Sequence, residues 1–150
     1  MREIRVKPIY ILIIGLILST FTIAKPRGDS DIEQITATLT DNIEGTANGE
    51  PERLRRAFHP DFNLYAVDDK NKLLVRSGEK YISGVKQGEK SNRIGRIISI
   101  DYEKDAATAK VEIVVPKWRV FTDYFLLVKY EGSWKIVQKS YTWREIPKGE

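Results

Sequence analysis

In the segment RVFTDYFLLVKY, residues 119–130, the carboxylate of Asp123 shares one face of an extended chain with Phe121, Phe125 and Leu127, because side chains two apart point the same way. A carboxylate among apolar neighbours has two readings. Either it lines a pocket, where desolvation raises its pKa and suits it to general-base work, or it finds a hydrogen-bond donor and is chemically silent. Each pKa unit of upward shift costs about 1.4 kcal/mol, so an idle charge at this position should have a donor. His59, the single histidine, is the other group able to move a proton near neutral pH. Its place between Phe58 and Pro60 is also that of a helix C-terminus, which favours an imidazolium and explains the residue without any chemistry. Acting together, Asp123 and His59 would be a base and an orienting partner. Lys139 alternates with Val137 and Tyr141, and either neutralises an anionic ligand or lies solvated along a sheet edge. Tyr65, Trp118 and Tyr141 offer surfaces to a flat ligand, although Tyr81, Tyr124 and Trp143 compete for that role. Trp134, next to the turn at Glu131-Gly132, is read as hairpin packing.

Other chemistries are excluded by composition. The chain has no cysteine, so it has no disulfide, no thiolate nucleophile or metal ligand, and no lipid attachment through an N-terminal cysteine. With one histidine, a zinc site would be nearly all carboxylate, which suits zinc poorly. Neither a glycine-rich phosphate loop nor a G-x-S-x-G elbow occurs. No metal and no cofactor is expected. The net charge of +4 divides unevenly: Arg2, Arg5 and Lys7 against Glu3 put +2 of it in residues 1–24. The remainder is too weakly basic for a nucleic-acid footprint, and the pairs Arg55/Arg56 and Arg93/Arg96 read as solvated surface.

The elements that must position these residues are legible in the spacing. Ile32, Ile35, Leu39 and Ile43 recur at three and four residues, with Glu33, Gln34, Asp41 and Asn42 elsewhere on the wheel. This is an amphipathic helix capped by Ser30 or Asp31 and ended by Asn48-Gly49. Pro51 opens a second short helix, PERLRRAF, whose Leu54 and Phe58 share a face and which Pro60 stops. Phe62–Val67 and Leu73–Arg76 read as a hairpin, and Ser77 caps a third short helix through Tyr81, Ile82 and Val85. Longer strands follow over 93–102, 108–115, 120–130 and 133–141, turning at 103–105 and 131–132. Helices first and antiparallel strands afterwards give one α+β domain over 31–150, with helices on one face of a curved sheet.

The start of the chain reads as an address. A cationic Met1–Lys7 precedes an uncharged run, PIYILIIGLILSTFTIA, with Thr22 and Ala24 at the small-residue positions before a cleavage site. Residues 1–24 are therefore a secretory signal or, uncleaved, a membrane anchor, since the run approaches the roughly 17 residues a spanning helix needs. Both readings export the rest to the periplasm or beyond, with residues 25–30 as a linker and no membrane contact unless the segment is retained.

The segments GEPERLRRAFHPDF, FTDYFLLVKY and GSWKIVQKSYTW, in this order of elements, resemble the NTF2-like superfamily, which includes ketosteroid isomerases and polyketide cyclases. The first two pieces are similar to the subgroup named as putative lumazine-binding proteins. The resemblance implies a cone whose open end is a pocket, near whose mouth FHPDF would sit. The leading expectation is an exported domain binding a flat hydrophobic or heterocyclic molecule, with Tyr65, Trp118, Asp123, Lys139 and Tyr141 around it. The alternatives are an isomerase, dehydratase or cyclase with Asp123 as base and His59 or a tyrosine stabilising the charge, and a homodimeric interaction module presenting Val114, Tyr124 and Trp118.

Overall fold

The computed structural model describes residues 30–147. The signal or anchor segment and the linker up to residue 29 lie outside the described residues. Helix α1, Asp31–Asn48, opens on a capping box: the Glu33 amide donates to the Ser30 hydroxyl, and the Ser30 amide donates to the Glu33 carboxylate at 2.7 Å. It ends at Gly49, whose φ of +66° and contact with the Glu89 backbone leave no room for a Cβ. Two backbone bonds, Gly88 N–H to Gly49 O and Ser91 N–H to Ala47 O, then hold residues 88–91 against the end of α1.

Helix α2, Pro51–Ala57, stops one residue earlier than its sequence suggests, and Phe58 already begins strand β1, Phe58–Val67. The register explains the difference. Phe58 pairs with Ile136 and Asn63 with Gln138, so β1 spends five residues where its neighbour spends two, leaving residues 59–62 out of the ladder. Pro60, which has no N–H to give a ladder, sits in that bulge and not after a helix. The bulge turns Phe58 and Phe62 inward together, with ring centroids 3.9 Å apart.

Strand β2, Leu73–Ser77, completes the expected hairpin, and Ser77 caps α3, Gly78–Ile82. Strands β3, Ile94–Glu103, β4, Ala106–Val115, β5, Arg119–Tyr130, and β6, Ser133–Glu145, follow. The β5–β6 turn places Glu131 and Gly132 both at positive φ, the geometry that matches strand twist. The six strands form one curved sheet in the order β2-β1-β6-β5-β4-β3, antiparallel except where β1 lies parallel to β6. Ile35, Leu39 and Ile43 of α1 cover its inner face against Val111, Ile113, Phe125, Leu127 and Ile136, all buried. The α+β fold expected from the order of elements is the fold observed.

Candidate functional site

Alternation along the strands decides which side chains enter the space under α1. On β5, Phe121, Asp123, Phe125 and Leu127 point inward, and on β6 Lys139 and Tyr141 do. Their floor and the roof from α1 and α3 enclose a cavity of about 280 Å³, near the lower limit for small-molecule sites. Asn42 and Thr46 line it from α1, Tyr81 from α3, Leu64 and Arg76 from the hairpin, Arg93 from the segment before β3, and Trp118 from the β4–β5 turn.

Asp123 is opposite Tyr141 in the ladder, which brings its Oδ2 diagonally to 2.6 Å from Lys139 Nζ. Both side chains are buried, at 3% and 8% exposure. The ammonium also lies 5.4, 5.5 and 5.6 Å from the ring centroids of Tyr81, Phe125 and Tyr141, a three-sided aromatic cage. Burial alone would pull the Lys139 pKa down. That is the largest single effect, but the charge and hydrogen bond of Asp123 together with Tyr81 and Tyr141 outweigh it, so the ammonium is held above its ordinary range. The donor that a buried Asp123 requires is thus Lys139, and the solvated-edge reading of Lys139 is overturned: its position on β6 faces the core. An amine held protonated is no nucleophile at neutral pH.

Asn42 stands on the opposite wall. It is 1% exposed, and its Oδ1 is buried without any hydrogen-bond partner among the described residues. Buried polar atoms are nearly always paired, so this oxygen, which has almost no accessible surface of its own, is an exception beside the cavity that Asn42 lines. Neighbouring Thr46 does not serve, because its hydroxyl donates to the Asn42 and Ile43 backbone carbonyls. The sequence reading placed Asn42 on the polar side of the helix. The signal to the contrary is that it lies three residues beyond Leu39 and seven beyond Ile35, on their stripe.

Of the other residues singled out from sequence, Trp118 and Tyr141 line the cavity, with Phe121 between their rings at 5.7 and 6.3 Å. Tyr65 does not. It is opposite Val75 and Ser140 on the outer face of the sheet, since it alternates with the inward Phe62, Leu64 and Ala66. His59 is also elsewhere, in the β1 bulge, where its Nδ1 accepts the Asp61 amide at 3.2 Å and its ring meets Tyr130 edge-on. Tyr130 ends β5 seven residues beyond Asp123, roughly 23 Å along an extended strand. The pairing of His59 with Asp123 is therefore not made. The FHPDF segment packs its phenylalanines in the core and turns its histidine away from the cavity. Among the described residues, no cluster of carboxylates and histidine is arranged to hold a metal ion.

Residues 30–142 match the family described as putative lumazine-binding. An NTF2-like protein of unknown function from Shewanella baltica OS155 superposes with a TM-score of 0.68 at 24% identity, over 77% of this chain and 98% of that one. One from Methylobacillus flagellatus KT superposes with a TM-score of 0.67 at 28% identity, over 76% and 92%. The chain is also similar to the aldolase FrzH of a Cladobotryum species, at 26% identity over 118 residues, which are 77% of this chain and 94% of that protein.

Proposed function

The chain belongs to the putative lumazine-binding family of NTF2-like proteins, and on that premise we propose that it is an exported domain binding a small, flat heterocyclic molecule in its cone. The observation that carries the proposal is the cavity's lining, in which the Asn42 carboxamide, whose oxygen has no hydrogen-bond partner among the described residues, shares the wall with aromatic side chains. Trp118, Phe121 and Tyr141 supply ring faces, and the Asp123–Lys139 pair supplies a polar floor. His59 and Tyr65 are left out of the site.

Calorimetric titration with lumazine and with oxoquinolines tests this. Saturable one-to-one binding, abolished in Asn42→Leu while the thermal transition is kept, is the expected result. A folded protein that takes up none of these flat lactams overturns it. Export has its own readout, an intact mass beginning near Lys25 in the exported fraction of the host.

A second reading, favoured by the likeness to an aldolase and by a carboxylate on the cavity wall, makes Asp123 the general base of an isomerase, dehydratase or cyclase. Asp123→Asn would then abolish turnover of a ligand found by titration. Homodimerisation through the outer sheet face, where Tyr124 and Leu126 are 49% and 42% exposed, is a proposal of ours that sedimentation at micromolar concentration decides.

A further inference from the structure

The charges around the cavity do not balance. Among the described residues Asp123 is the single acid on its wall, against Lys139, Arg76 and Arg93, and Lys139 already takes up that carboxylate. Among the described residues, Arg76 has no acidic partner, and the one side-chain bond of Arg93 runs from its Nε to the Ser91 hydroxyl at 3.0 Å. A neighbouring recess of about 200 Å³ shares Leu64, Arg76 and Tyr141 with the cavity and adds Lys80, again with no acid on its wall. Both arginines are held where they are by the fold. Arg76 is opposite Leu64 in the β1–β2 ladder, and the stretch before Arg93 is tied to α1 through Ser91 and Ala47.

Resting on the binding reading above, we propose that the ligand is an anion: a flat ring seated in the cone, carrying a carboxylate or phosphate arm toward Arg76, with Arg93 as the second cation. Guanidinium groups present paired N–H donors matched to such oxyanions. The ring and the arm separate the two halves of the site: Asn42 and the aromatic faces read the ring, and the free cations read the charge. A neutral ring of the same shape keeps only the first set of contacts.

The test uses oxoquinoline carboxylates, their phosphate-bearing counterparts and their matching primary carboxamides, titrated against the mature chain at low and high salt. The acids should bind about tenfold more tightly than the amides, the difference expected from two partly exposed charge contacts, and the gap should shrink as salt is raised. Arg76→Gln with Arg93→Gln should bring acid and amide to equal affinity by weakening the acid far more than the amide. Whichever of carboxylate and phosphate binds more tightly identifies the arm. Equal affinity of acid and amide for the unaltered chain overturns the anionic ligand and leaves the binding reading standing. Binding of neither by a folded protein overturns both.

Discussion

Replacing Lys139 by Met removes a buried ammonium from a carboxylate that is only 2% exposed. At 2.6 Å, and with the effective dielectric suited to protein interiors, the gross attraction of the pair is about 6 kcal/mol. Desolvating two ions costs several kcal/mol each, so the intact pair is worth little in net stability. Stranding one member is another matter, costing about 3–5 kcal/mol. Lys139→Met should therefore lower the unfolding free energy by about that much, read from the midpoint of a urea transition at pH 7 with unchanged slope. Asp123→Leu combined with Lys139→Met should recover most of it, to within about 1 kcal/mol of the parent, because no charge is left alone. The pH dependence is an independent check. Lys139 binds its proton more tightly folded than unfolded, so its contribution is complete below about 10.4, where the unfolded chain titrates, and is lost as pH climbs through the higher folded value. The parent should lose stability in that alkaline window and the double variant should lose less. A single variant that costs under about 1 kcal/mol, or a double variant whose cost is the sum of the two singles, would refute the pairing.

Two further substitutions test the frame around the site. Gly78→Ala should destabilise by about 1–3 kcal/mol in the same urea assay, because its Cβ would lie 2.1 Å from Phe62 Cε1 and that ring is stacked on Phe58; an unchanged midpoint would mean that the β1 bulge yields easily. Asp31 accepts from Lys129 Nζ at 2.6 Å and from the Trp134 indole at 2.9 Å, and these bonds hold its carboxyl below its ordinary range. Its contribution is present above the unfolded value near 3.9 and disappears as pH falls through the folded one, so Trp134 fluorescence should report a loosening on acidification that is absent in Asp31→Asn.

The helices and hairpins were legible because they rest on local signals: the stripe of Ile35, Leu39 and Ile43, the caps at Ser30 and Ser77, and the Glu131-Gly132 turn. The bulge in β1 was not, since Pro60 reads equally as a helix stop and only the pairing of Phe58 with Ile136 distinguishes the two. The site divided along the same line. Period-two alternation placed Asp123 correctly inward and could have placed Lys139 there as well, two residues before Tyr141. A lysine in an alternating strand, however, is ordinarily at an edge, and the strand order that makes β6 central, between β1 and β5, comes from long-range pairing. Tyr65 was misassigned for the converse reason, because its neighbours Leu64 and Ala66, and not the tyrosine, supply the buried face. Arg76 and Arg93 carry no local mark at all. Both become part of the site only when the hairpin and the start of β3 converge on α1.

The buried pair also weighs the binding reading against the catalytic one. A general base must offer its carboxylate to the substrate, and Asp123 offers one oxygen to Lys139 at 2.6 Å. Freeing it requires the ammonium to move. Lys139 is surrounded by Tyr81, Phe125 and Tyr141 and is anchored on a strand paired on both sides, so such a motion would give up both the buried ion pair and the aromatic cage. A ligand could instead use the second carboxylate oxygen as an acceptor without disturbing the pair, which is what binding needs and proton abstraction does not. Asn42 has no such prior commitment, since it lines the cavity and its oxygen has no hydrogen-bond partner among the described residues. The polar group poised for a ligand is thus the neutral amide on α1, whereas the charged group that sequence patterning selected is already engaged in holding the floor of the cavity together.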